Sequence, residues 1–189
     1  MKHGFKASAE RMAVDVRAEL GLSPVAPLCP WRLADHFGII VFGPKDLPLA
    51  ANDIHQLTVA DPQSWSGLSV RDAGLTAVIL NPTHPKARQR NTLMHEISHI
   101  HLKHVGSRVD VSMDGLLLVS DFSAEQEEEA NWLAGAFLAP RDALLAARNA
   151  GKSAQQICND YGISNELCVW RLRMTGIEAQ LQHRRRKGV

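Results

Sequence analysis

Apolar positions recur at helical spacing over residues 8–20, where Met12, Ala13, Val16 and Leu20 share a face and Gly21 marks the end. Prolines punctuate residues 24–30 as a linker. A short helix is expected over 31–37, ended by Gly38, and the apolar run Ile39-Ile40-Val41-Phe42 suits a buried strand. Residues 43–52 read as loop. Residues 66–81 have the form of a hairpin, with strands over 67–70 and 75–80 and a turn at Asp72-Ala73-Gly74. From about Thr83 the pattern turns helical and continues past His99. Residues 106–121 show no clear period and read as a long excursion. A new helix starts at Ser123, whose partner Gln126 three residues on makes a capping-box pattern, and it runs to about Leu138 before Pro140. Residues 141–182 read as two or three short helices broken at Gly151 and Gly162. No internal repeat interrupts this order. Helices flanking one small antiparallel sheet make the chain α+β.

The 189 residues suffice for a sizeable core in one domain, or in one domain with a small appendage. An apolar fraction of 45% is ordinary for a globular chain, and a formal net charge of +1 gives no global field to attract nucleic acid or an anionic membrane. The single charge block, His183-Arg184-Arg185-Arg186-Lys187, reads as a solvated basic tail. Cys29, Cys158 and Cys168 form neither a C-x-x-C pair nor an even framework, so free thiols, buried or half-buried in a reducing compartment, are expected. The N-terminal segment lacks the apolar core of a signal peptide, and no stretch approaches about 18 uninterrupted apolar residues. A cytoplasmic protein that crosses no membrane is expected.

Candidate chemistry sits at His95-Glu96-Ile97-Ser98-His99. Residues four apart on a helix lie one above the other, so His95 and His99 can share one Zn²⁺ at about 2.0–2.1 Å from each nitrogen. Glu96, one step round the helix, is poorly placed to ligate and well placed to reach a water on that metal. A catalytic zinc takes three protein ligands, and the next helix offers Glu125, Glu127, Glu128 and Glu129. Helical phase leans to Glu127, which shares a face with Ala130, Asn131, Ala134 and Leu138, small or apolar residues that let two helices approach. Acidic residues at a helix N-terminus also complement the macrodipole without any metal, and at least two of the four are expected to do only that. His101, His104 and Arg90 are near in sequence, but His101 points away from the site and both histidines are expected at the surface. Nothing in the sequence identifies an oxyanion-stabilising residue, and the lone Tyr161 lies far along the chain.

Two segments together resemble the ImmA/IrrE metallo-endopeptidases. Arg88 to His99 is similar to the family's R-x-x-x-T-x-x-H-E-x-x-H helix, and Glu127-Glu128-Glu129-Ala130-Asn131-Trp132-Leu133-Ala134 with Phe137-Leu138-Ala139-Pro140 to its E-x-x-A-N-x-F-A segment ending in L-x-P. The likeness extends over most of residues 5–140. It implies a zincin-like metallopeptidase core with the sheet packed on the H-E-x-x-H helix and one zinc per chain. It also implies His95, His99 and Glu127 as ligands, Glu96 as catalytic base, and Asn131 as a neighbour that orients a ligand histidine. Leu133 stands where phenylalanine is usual and Ser98 where glycine is common; neither change removes a functional group. Members of the family often cleave or inactivate helix-turn-helix repressors, so the resemblance implies a protein substrate of that class.

The division expected is a zinc metallopeptidase domain over 1–140 and a helical, helix-turn-helix-like extension with its basic tail over 141–189. Within the extension, Gly162 supplies a turn and Ser164 a cap. Asn165 suits base reading but Glu166 beside it would repel phosphate, so a structural hairpin is expected rather than a direct nucleic-acid contact. An alternative function is a regulator that keeps the fold and binds a repressor or DNA without proteolysis. Glu96 favours the enzyme, because a binder has no need of a general base.

Overall fold

The computed structural model describes residues 1–72, 74–105 and 122–186. The excursion expected over 106–121, Ala73 of the hairpin turn and Lys187 of the basic block lie outside the described residues.

Three strands, β1 (Ile40–Phe42), β2 (Gly67–Asp72) and β3 (Leu75–Leu80), form one sheet in the order β1-β3-β2. The hairpin is as expected, antiparallel from Gly67↔Leu80 to Asp72↔Leu75. β1 adds parallel to the far side of β3, Ile40 opposite Ala77, so the sheet is mixed. Only Ile39, just ahead of β1, is fully buried in that apolar run, while Ile40 is 45% exposed. The difference follows from β1 being an edge strand with one face open. Residues 43–52, read as loop, include a 3₁₀ turn (Pro44–Asp46) and the start of a helix, Ala51–His55, that continues as a π-turn over Gln56–Ala60. Neither of those last two turns buries a residue, which is why no helical period marks them.

The helices, in chain order, are α1 (Phe5–Glu19), α2 (Pro30–His36), α3 (Ala51–His55), α4 (Lys86–His101), α5 (Ala124–Leu138), α6 (Arg141–Asn149), α7 (Ala154–Tyr161), α8 (Asn165–Met174) and α9 (Ile177–Arg186). α4 lies between the sheet and α5 and buries Leu93, Met94 and Ile97 completely. Its close approach to β2 depends on Gly67, where a Cβ would fall 2.6 Å from Thr92 Cγ2. α5 begins at the expected capping box: Gln126 N–H donates to Ser123 Oγ and Ser123 N–H to Gln126 Oε1. Ala130, Ala134 and Ala136 along α5 are buried and keep its surface shallow.

Two arginines that composition would assign to the surface are wholly buried. Arg17 of α1 donates to the carbonyls of Ala13, Ala26 and Phe137, tying α1, the proline linker and the end of α5 together. Burial lowers its pKa to about 10. Arg171 of α8 pairs with Glu10 of α1 and donates Nε–H to the Ala139 carbonyl at 3.1 Å. α8 passes α5 at Gly135, where a Cβ would sit 2.8 Å from Arg171 Cδ and 2.9 Å from Trp170 Cζ3. Among the described residues, the segment after Pro140 holds four helices rather than two or three, the extra break falling at Gly176. No helix among the described residues is long and apolar enough to cross a membrane.

All three cysteines are free, but Cys29 is exposed while Cys158 and Cys168 are buried. Burial, with the neighbouring Cys158 adding to it, pushes the Cys168 thiol up to about 12. Since the thiolate is the reactive form, one thiol of the native protein is expected to react quickly with a disulfide reagent at pH about 8, and the other two only after unfolding. Three fast equivalents would contradict the buried placement.

Candidate metal centre

His95 and His99 fall one turn apart on α4, and the cap at Ser123 sets the phase with which α5 presents Glu127 to them. The structure brings one donor atom from each of the three within 4.8 Å of the others. His95 Nε2 and His99 Nε2 are 3.0 Å apart, and the two Glu127 oxygens lie 3.4 Å from His95 Nε2 and 3.3 Å from His99 Nε2. Two imidazole nitrogens and a carboxylate at such spacing repel one another unless a proton or a cation lies among them. Ligands at about 2.0–2.1 Å from a tetrahedral zinc stand about 3.3–3.4 Å from each other, so the donors fit that ion with small adjustment. Burial comes first in holding the His99 pKa down to about 3, with His95, His104 and Arg71 adding to it, so its ring is neutral and has a lone pair to give. Exposure grades across the set, His99 at 1%, His95 at 20% and Glu127 at 41%, leaving the open side towards Glu127.

Glu96 faces the sheet rather than solvent and is 9% exposed. Burial pushes its carboxyl above the usual range, against the opposing pull of His95 and of Ser69 on β2. Of the other acidic candidates, Glu128 is exposed near the chain start, and Glu129 is buried against His104. Asn131 is exposed on α5 and makes no hydrogen bond to His95 or His99 among the described residues. Ser98 is buried and returns its hydroxyl to the Met94 carbonyl at 2.8 Å, and Leu133 is buried in the core.

The surface placement expected for His101 and His104 does not hold. His101 stacks on Phe37 with centroids 5.1 Å apart, and the His104 side chain is only 7% exposed. His104 Nδ1 lies 3.1 Å from His99 Nδ1, and Phe122 stacks on the His99 ring at 3.8 Å. Arg71 of β2 donates to the His99 carbonyl at 3.3 Å. These neighbours of His99 carried no motif; the one available signal was a histidine five residues beyond a candidate ligand. Arg90 and Tyr161 serve packing instead: Arg90 donates to the carbonyls of Leu28 and Tyr161, and the Tyr161 hydroxyl to that of Val25.

A model of the IrrE N-terminal-like domain, a peptidase family, matches residues 49–173, about two thirds of the chain. The chain belongs to this IrrE-like peptidase family. The match starts at α3 and runs through α4 and α5, the two helices of the candidate site, into α8. Among solved structures, a Mycobacterium tuberculosis transcriptional regulator is similar at 18% identity and a TM-score of 0.51, over 90% of this chain and 47% of that one. The chain thus spans about half the length of that regulator, and the likeness is one of fold. No curated protein matches the chain.

Proposed function

We propose that this IrrE-like peptidase is a zinc-dependent endopeptidase acting inside the cell on a regulatory protein, with His95, His99 and Glu127 as ligands and Glu96 as general base. The observation that carries the reading is the convergence of three lone-pair donors at 3.0–3.4 Å beside a buried carboxylate. A His₂Glu set suits zinc. When bound, the metal supplies Lewis acidity, polarising a carbonyl and making water a competent nucleophile at neutral pH. Glu96 is then placed to take a proton and to return it to the departing amine, and a carboxyl raised by burial is nearer the working pH for both transfers. A helix-turn-helix repressor as substrate is the class the family resemblance implies, and the regulator with a similar fold is in keeping with it. Free cysteines suit a reducing compartment. We assign residues 141–189 to a helical extension whose hairpin, α7 and α8, packs on the core through Arg171 and Trp170. Glu166 is exposed beside Asn165 at the start of α8, where it opposes phosphate, so the hairpin supports packing rather than DNA reading.

Elemental analysis of the wild type and Glu127→Ala tests the centre. The expected result is about one zinc per wild-type chain and a large loss in the variant. Profiling of new protein N-termini in cells expressing wild type or Glu96→Gln then tests proteolysis, with new termini expected for the wild type alone. No metal in a folded, zinc-replete wild type removes the enzyme reading and leaves a binding regulator.

A further inference from the structure

The end of α4 is shaped to bring His104 back under His99. Lys103 has φ 55°, the one non-glycine residue in the left-handed region among the described residues. It occupies the position that glycine favours in a Schellman motif, because His104 N–H bonds the His99 carbonyl and Lys103 N–H that of Ile100. A lysine there is strained, and strain of this kind persists where the surroundings fix it. The turn places His104 Nδ1 3.1 Å from His99 Nδ1, with both rings nearly enclosed. On its other side, His104 Nε2 lies 3.5 Å from Glu129 Oε2, whose carboxylate is 8% exposed and accepts the Lys2 backbone N–H through Oε1.

Only one direction of proton placement suits all three groups. Glu129 is an acceptor, so the His104 proton belongs on Nε2 and its Nδ1 is left as a lone pair. His104 Nδ1 then accepts from His99, which puts the His99 proton on Nδ1 and frees Nε2. The reverse arrangement would place the His99 proton on Nε2, facing His95 Nε2 at 3.0 Å, where it could not ligate. We propose that His104 is a positioning residue for the ligand His99: it accepts the His99 Nδ1 proton, is itself oriented by the buried Glu129, and so presents the His99 Nε2 lone pair to the metal. The inference rests on the metal-centre reading above. It assigns the orienting role to the histidine at the end of α4 and not to Asn131 on the surface of α5.

The test is zinc affinity by competition with a chromophoric chelator, alongside nitrogen-15 spectra of the imidazoles. Loss of an outer partner of this kind costs about 10–100-fold in metal affinity, and His104→Ala is expected to fall in that range. His104→Asn keeps an acceptor near the Nδ1 position and is expected to recover most of the loss. In the zinc-loaded wild type, His99 Nδ1 should carry a slowly exchanging proton with coupling across to His104 Nδ1, a readout that stands even if His104→Ala folds poorly. The proposal is overturned by a folded His104→Ala within about two-fold of wild type, by equal losses in the alanine and asparagine variants, or by a His99 proton on Nε2. A wild type that binds no zinc would instead take down the metal-centre reading itself, which separates the two failures.

Discussion

Glu96→Gln is expected to keep its metal and lose turnover by about 10²–10⁴-fold, the usual worth of a positioned proton-transfer group. The amide matches the carboxylate in shape and removes only the ability to take a proton, so His95 and His99 on the same helix stay in place. Single-turnover rates on an identified substrate, with metal content measured in the same samples, check this. A variant retaining most of its rate would mean that Glu96 is not the base. A second consequence concerns stability. A carboxyl raised by burial binds its proton more tightly in the folded state, so its contribution is present at low pH and lost as pH rises through the folded pKa. At neutral pH the metal-free wild type therefore bears the cost of a carboxyl whose ionised form folding disfavours, a cost that glutamine removes. Metal-free Glu96→Gln should be the more stable protein at pH about 7, by a margin that narrows as pH falls towards the carboxylate range. A margin that widens on acidification would contradict the burial argument.

Arg171→Ala is expected to destabilise the protein by about 3–5 kcal/mol, the cost of removing one partner from a buried ion pair. Arg171 is 0% exposed and its pKa is lowered first by burial, against the pull of Glu10. Its Nη1 has no partner among the described residues. Truncation leaves the Ala139 carbonyl without its donor and opens space beside Gly135. Glu10 keeps its second contact, accepting the Arg141 N–H at the start of α6. A double change, Arg171→Met with Glu10→Gln, removes the charge of both partners and should recover much of the loss. Urea denaturation at constant m-value measures both variants. A loss under about 1 kcal/mol for Arg171→Ala would show the pair to be worth no more than a surface contact.

These two residues mark what the sequence made legible. The H-E-x-x-H helix, the hairpin and the cap at Ser123 were readable because each depends on neighbours within a few positions: a helical period, a glycine turn, a serine three before a glutamine. The choice of Glu127 among four acids was open to helical phase only weakly, and the family resemblance settled on the residue that the structure brings to the histidines. The parallel pairing of β1 with β3 was not readable, since more than thirty residues separate the partners Ile40 and Ala77 and no local signal encodes their union. His104 was hidden because its turn uses lysine where a glycine would have advertised it. The burial of Arg17 and Arg171 was not readable because partners that enclose them, the Phe137 carbonyl in one case and Glu10 with the Ala139 carbonyl in the other, come from distant segments.

The clamp that Arg17 places on the Phe137 carbonyl has a mechanical side. Phe137 lies ten residues beyond Glu127 on one helix, about 15 Å at the rise of an α-helix. α5 is thus a lever whose fulcrum is a buried guanidinium and whose working end is a half-exposed carboxylate. A tilt of about 4° at the fulcrum swings Glu127 by about 1 Å, which is comparable to the misplacement that disables a catalytic site. Tolerance at the candidate metal centre is therefore set in part at the opposite end of the helix, where a conservative change that merely loosens Arg17 acts on Glu127 without touching it.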